Sequence, residues 1–331
     1  MLFAKIRAYF RLGRIHSAVL TGLAPVCTAA AIGRSLSLHH YLELFLIGFI
    51  FHIYLFTLNE VRDIDIDKTS KKLTIKPLVD GSVSLKNAKR IVFSSVALIL
   101  ILTLVFFFGQ ALILIPISLV ALLLGGLYDY VGKRFPHADY FIALMFLFAA
   151  LYGGFSVSTT LGLLVYVIAL LAMVQMLINN ILAGLKDVEH DYATGGLSTP
   201  IRMGVRVEGE RFLVSTSFIA YIVLLKMAHI SLTVIPFIAR LMSFENWQFY
   251  IVLAPIIIAV FFMVRVLTIK VFNREKIMRA IGFHEIFAFM VIPFLLLGYI
   301  GYEGAVILIF LPVIWLGVFL VIMYGRLMPA I

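Results

Sequence analysis

Cysteine is almost absent from this chain: 331 residues contain one, Cys27, and it lies inside an apolar run. A single thiol excludes a disulfide framework and a thiolate metal centre. Acid is scarce as well, with 17 Asp and Glu against 27 Lys and Arg and a formal net charge of +10. No basic stretch carries interleaved aromatics, so the positive balance does not point to nucleic acid. Linkers, low-complexity tracts and soluble-domain stretches are missing too, and no cleavable signal peptide is read at the start.

What is present in excess is apolar side chain. Hydrophobic residues make up 63% of the chain and its mean hydropathy is +1.10, the composition of a polytopic membrane protein. A membrane-spanning helix needs about 20 mostly apolar residues. Runs of that kind lie at about 15–33, 41–61, 91–108, 111–128, 138–157, 161–185, 212–236, 250–271, 282–299 and 305–325. The last two can also be read as one broken helix. The expectation is a single all-α domain over residues 1–331, a membrane bundle of about nine or ten helices. Turns are expected at Gly109-Gln110 and near Gly298–Gly304. Residues 1–14, with Lys5, Arg7, Arg11 and Arg14, read as a basic interfacial arm.

Lysine and arginine set the topology. With ten spans and the start of the chain inside, all of them but Arg34, Lys226, Arg240 and Arg265 fall in cytoplasmic segments. A bias of this strength orients the protein. It places loops 62–90, 129–137, 186–211 and 272–281 in the cytoplasm, so any active surface is expected to face that side.

The scarce acid is gathered in two places. The line Asn59-Glu-Val-Arg-Asp63-Ile-Asp65-Ile-Asp67 closes one apolar segment. On a helix, Asn59, Asp63 and Asp67 share a face, while Asp65 points away. Asp187 and Asp191 repeat the four-residue spacing at the end of another apolar segment, with Glu189 off that face. Clustered acid at a membrane edge is costly unless a cation sits among it. Magnesium takes oxygen ligands and commonly bridges one or two carboxylates to a phosphate. Each acid pair suits such a half-site, with Asn59 adding an amide oxygen and Glu60 in reach as a helper. A calcium loop of the EF-hand type is excluded, because Lys68 stands where its Gly belongs and Thr74 where its bidentate Glu belongs. The alcohol phosphotransferase signature fails as well, since Ser84-Leu85 follows Asp80-Gly81 where Ala-Arg is required. The two acidic helix ends also hint at an internal duplication.

Taken together these motifs resemble the UbiA superfamily of intramembrane prenyltransferases. Asn59…Asp63…Asp67 followed by Lys76-Pro77-Leu78…Gly81 resembles its first motif. Lys186-Asp187-Val-Glu-His-Asp191 followed by Gly196-Leu-Ser-Thr199-Pro200…Gly204 resembles its second. Tyr128-Asp-Tyr130-Val-Gly-Lys133-Arg134 resembles the tyrosine-plus-lysine motif between them. The resemblance covers most of residues 10–210. Glu60 replaces the usual Asp, and Lys76 replaces the usual Arg without offering its bidentate grip.

The resemblance implies Mg²⁺-dependent transfer of an isoprenyl group from a polyprenyl diphosphate to a lipophilic or amphipathic acceptor in the membrane. Asn59, Asp63, Asp67, Asp187 and Asp191 would hold metal, the four aspartates being the catalytic set. Lys133, Arg134, Lys76, Lys186 and Tyr128 would bind the diphosphate, with Arg62 a further cation near it. Acceptors across the family include aromatic quinone precursors and an archaeal glycerophosphate ether lipid, and the sequence around Asp187 resembles both branches. Asn179 and Asn180 read as helix-packing hydrogen bonds, and His284, Glu285 and Arg265 as pairing residues near helix ends. The alternative is a secondary transporter with an intramembrane cation site, which would carry its acids near the bilayer midplane beside broken helices.

Overall fold

The apolar runs are helices in a computed structural model of the chain, which describes residues 2–33, 35–68, 76–132, 135, 137–193 and 195–327. In chain order these are α1 (Leu2–Leu12), α2 (Ala18–Ala30), α3 (Leu38–Asp67), α4 (Leu85–Phe106), α5 (Ala111–Val131), α6 (Asp139–Val157) and α7 (Leu163–Gly184). Two short helices follow, α8 (Val188–Ala193) and α9 (Thr199–Arg202), then α10 (Thr216–Ile238), α11 (Asn246–Leu267), α12 (Arg274–Leu295) and α13 (Leu297–Tyr324). Nine helices among the described residues are long and apolar enough to cross a membrane. The first of the ten expected spans, 15–33, holds a shorter apolar helix, Ile15–Ala30.

Two boundaries differ from the expectation. The turn at Gly109 is present, with Phe107 leaving helical geometry before a short 3-10 turn at Phe108–Gln110. Helix α12, however, begins at Arg274, inside what reads as a loop at 272–281. Asn273 caps it by accepting from the Lys276 amide, and Glu275 complements the positive helix start. Its end then falls at Leu295, and α13 begins at Leu297 with a kink at Gly301, whose φ of 68° suits glycine.

Residues 1–130, 148–161 and 306–331 form one compact unit, and residues 131–147 and 162–305 a second. In the first, α2 packs on α3 and α3 on α4. Close approach depends on glycine: a Cβ at Gly153 would sit 1.7 Å from the Pro25 carbonyl oxygen, and one at Gly48 would sit 2.6 Å from that of Thr21. Small residues allow such backbone contact where lipid gives helices little other reason to associate. Some polar groups inside the spans pair across helices, which suits a medium without water. Tyr54 donates to the Leu122 carbonyl at 2.9 Å, and the hydroxyls of Thr103 and Tyr152 meet at 2.8 Å. Ala8 and Leu12 of α1 pack with Ile64, Leu78, Val83 and Ala88, so α1 braces the end of α3 and the turn that follows it.

The second unit packs α10 and α12 against α7, and α11 against α12. Its core joins Leu177, Ile181, Leu185 and Val188 to Phe218, Ile222, Val266 and Ile277. A small antiparallel hairpin, β1 (Arg206–Glu208) and β2 (Arg211–Leu213), interrupts the helices. It is tied to the loop before α12 by the Phe212 amide on the Lys270 carbonyl and the Phe272 amide on the Glu210 carbonyl.

Candidate active site

Helix α3 stays regular through Asp67, so Asn59, Asp63 and Asp67 do share one face and Asp65 is exposed. The chain is described again from Lys76, which opens a tight turn: the Val79 and Asp80 amides donate to its carbonyl, and Gly81 takes a φ of 77°. This turn carries Lys76 Nζ to 2.7 Å from Asp67 Oδ2 and 3.2 Å from Glu60 Oε2. All three side chains are buried. Arg14 completes the group from the other side, donating from Nη2 to Glu60 Oε1 at 2.8 Å while its guanidinium lies over the Phe56 ring. Burial works against the Arg14 charge, but Glu60 outweighs it and holds the guanidinium protonated above its ordinary value. Arg14 does this from a left-handed backbone, φ 45° and ψ 47°, a conformation that costs a non-glycine residue roughly 1–2 kcal/mol.

Asn59 links this cluster to α5. Its Nδ2 donates to Asp129 Oδ1 at 3.1 Å, and its Oδ1 lies 3.5 Å from Arg14 Nη2. Asp129 is buried, and its Oδ2 has no hydrogen-bond partner among the described residues. Tyr128 is half-buried beside it on α5, and Tyr130 lies under the Arg62 guanidinium at 4.4 Å. Lys133 and Arg134 lie outside the described residues.

The second acidic run is built differently. Helix α7 ends at Gly184, a 3-10 turn covers Leu185–Asp187, and α8 resumes at Val188. Asp187 meets Lys186 Nζ at 2.5 Å and Arg274 Nη2 at 3.0 Å, the latter from the first turn of α12. Asp191 is buried, and its carbonyl accepts from the Gly196 amide at 2.7 Å. Glu189 is exposed. Asp139, at the start of α6, ties the following loop down: it accepts from Asn180 Nδ2 at 2.5 Å and from the Thr199 hydroxyl. Asn179 Nδ2 donates to Glu285 Oε1 at 2.9 Å, so both asparagines hold helices together. His284 is not near a helix end. With α12 starting at Arg274 it sits at mid-helix, fully buried, 3.3 Å from Lys226 Nζ.

Sequence reasoning missed Asp129, Asp139, Arg274 and the Arg14–Glu60 pair as members of these clusters. Asp129 stands in plain view between Tyr128 and Tyr130, a lone acid at the end of an apolar run. Arg274 follows a capping asparagine, a signal that places it on a helix start.

These clusters supply hard oxygen donors with cations beside them, and no thiolate. The matching family model, the UbiA prenyltransferase family, spans residues 18–287. The chain belongs to that family. It is therefore a prenyltransferase, and the transporter alternative falls away. Among curated relatives it is similar to the 4-hydroxybenzoate octaprenyltransferase of Francisella tularensis subsp. novicida (strain U112), 25% identical over 67% of this chain and 77% of the relative. Solved structures share its fold. A digeranylgeranylglyceryl phosphate synthase has a TM-score of 0.65 at 20% identity, covering 92% of this chain and 99% of that one. A UbiA homologue from Aeropyrum pernix K1 has 0.64 at 15%, covering 85% and 95%. A UbiA homologue from Archaeoglobus fulgidus, bound to DMAPP and Mg²⁺, has 0.62 at 20%, covering 86% and 98%.

Proposed function

We propose that this protein transfers an isoprenyl group from a polyprenyl diphosphate to a membrane-associated acceptor, with release of diphosphate. The acceptor is an aromatic quinone precursor or an archaeal glycerophosphate ether lipid. The observation that carries the reading is the pairing of scarce acid with nearby cation at two helix ends, at Asn59–Asp67 with Lys76 and at Asp187–Asp191 with Lys186 and Arg274.

The donor set fits Mg²⁺. Asp63 and Asp67, with the Asn59 amide oxygen, offer hard oxygens from one helix face, and Asp187 and Asp191 offer a second pair. Oxygen pairs of this kind suit an ion that keeps waters and takes part of its shell from a phosphate. When bound, Mg²⁺ supplies neutralisation of the charge that grows on the leaving diphosphate.

The chain's own cations do the rest. Lys76 and Lys186 already stand within ion-pair distance of Asp67 and Asp187, so a diphosphate drawn into either cluster meets an ammonium group without rearrangement of the backbone. Lys133, Arg134 and Tyr128 belong to the same binding set by motif. The buried Glu60 fixes Lys76 and Arg14 in place rather than binding substrate. Apolar spans hold the isoprenoid tail away from water. The Lys and Arg bias supports a cytoplasmic face of the cell membrane for this chemistry.

Purified protein supplied with labelled geranylgeranyl diphosphate and a panel of aromatic and glycerophosphate acceptors tests the reading. Asp63→Asn and Asp187→Asn are each expected to lower Mg²⁺-dependent diphosphate release roughly a hundredfold or more. Full activity in both variants overturns the mechanism, and the acceptor that is labelled names the branch.

A further inference from the structure

Arg7 and Arg11 stand one turn apart on α1 and converge on a single acceptor. Arg7 Nε donates to the Met323 carbonyl at 2.7 Å and Arg11 Nε to the same oxygen at 2.9 Å. That carbonyl belongs to the last turn of α13, where helix carbonyls lack intrahelical donors and the macrodipole is negative. The Arg11 guanidinium also lies 5.5 Å from the centre of the Tyr324 ring. One arginine is enough to cap one carbonyl. Two bring like charges together, and neither forms an ion pair with Asp or Glu among the described residues. Their Nη groups make no further hydrogen bond there either, so two guanidinium forks are fixed through Nε and open at the other edge.

Position says what anion this pair meets. Helix α13 is an apolar span, and its end at Tyr324 sets the level where hydrocarbon gives way to headgroups. At the same level α1 leaves Phe3 and Ile6 exposed, 66% and 40%, with Lys5 between them. Apolar side chains beside cations on a short helix are suited to the acyl–headgroup boundary. The buried face of the helix, Ala8 and Leu12, is already committed to the protein core.

We propose that Arg7 and Arg11 form a binding site for the headgroup phosphate of an anionic phospholipid, with Lys5 adding charge and Phe3 and Ile6 seated among the acyl chains. The site shares no residue with the acidic clusters, and the proposal holds whichever acceptor the enzyme uses. Because α1 braces the end of α3, an occupied site steadies the element that carries Asn59 to Asp67.

Native mass spectrometry of the full chain in mild detergent, offered equal phosphatidylglycerol and phosphatidylcholine with the same acyl chains, reads the site directly. The wild type is expected to retain phosphatidylglycerol preferentially, by roughly fivefold for each arginine. Arg7→Gln with Arg11→Gln is expected to remove most of the preference, leaving only the share of Lys5. Lys86→Gln with Lys89→Gln removes the same charge from the start of α4 and leaves the preference intact. Should the glutamine variant fail to fold, Arg7→Lys with Arg11→Lys keeps the charge but loses the Nε donors and the forks, and it is expected to lose most of the preference. Equal retention by the wild type, an unchanged preference in either arginine variant, or an equal loss in the α4 variant overturns the proposal. Displacement of the lipid by inorganic phosphate also overturns it, by showing a site for free phosphate.

Discussion

The two acidic clusters use the same residue types in opposite settings. Around Asp67 the carboxylates are sealed: the side chains of Asp67, Glu60 and Lys76 are 4%, 4% and 7% exposed. Around Asp187 the ion pairs are open, with Asp187, Lys186 and Arg274 at 31%, 26% and 35%. A buried charge must keep its partner, because removing one leaves the other desolvated and alone. A half-exposed charge falls back on water. The first cluster is therefore part of what holds its unit together, while the second can exchange partners at little cost. On the function proposed above, Lys186 and Arg274 would move onto a diphosphate, whereas Lys76 would serve structure and substrate at once.

This contrast is broken most severely at Lys76. Lys76→Met takes the cation from buried Asp67 and leaves Glu60 with Arg14 alone, and thermal unfolding in detergent is expected to show a loss of about 3–5 kcal/mol. Lys76→Arg, which keeps the charge, should fall well short of that. A smaller loss, roughly 2–4 kcal/mol, is expected for Asp139→Ala, which removes the acceptor of both Asn180 and Thr199. Arg274→Gln sharpens the contrast: stability stays within about 1 kcal/mol, while the KM for the diphosphate donor rises. Added salt should reproduce part of the Arg274 effect on KM and none of the Lys76 effect on unfolding, since screening reaches exposed pairs and spares buried ones. Asp65→Asn, on the exposed face of α3, is expected to change stability by less than about 0.5 kcal/mol and to leave diphosphate release unchanged. A large effect there would mean that the ligand face of α3 has been misassigned.

The spans were legible because long apolar runs in this chain have no other stable form. The common face of Asn59, Asp63 and Asp67 was legible because helical spacing is a local rule. Contacts between distant segments were not. Nothing around Asp129 announces Asn59, and nothing around Asp187 announces Arg274, 87 residues later. The start of α12 was hidden by charge, since Arg274-Glu275-Lys276 reads as a loop until Asn273 is recognised as a cap. The hairpin at 206–213 also left a trace, with Val207 and Phe212 alternating among charged residues around Gly209. Polarity outweighed the alternation. Arg14 was the least readable of all, because a left-handed arginine is dictated by its partners and not by its neighbours in sequence.

The contact at Gly153 carries a practical consequence. With a backbone oxygen where a side chain would begin, the Pro25–Gly153 crossing is in direct backbone contact and has no room to tighten. It is therefore the natural zero mark for a distance ruler. Spin or fluorophore pairs that share one label near this crossing would report how far other helix ends of the same unit travel during turnover, measured from a point of backbone contact.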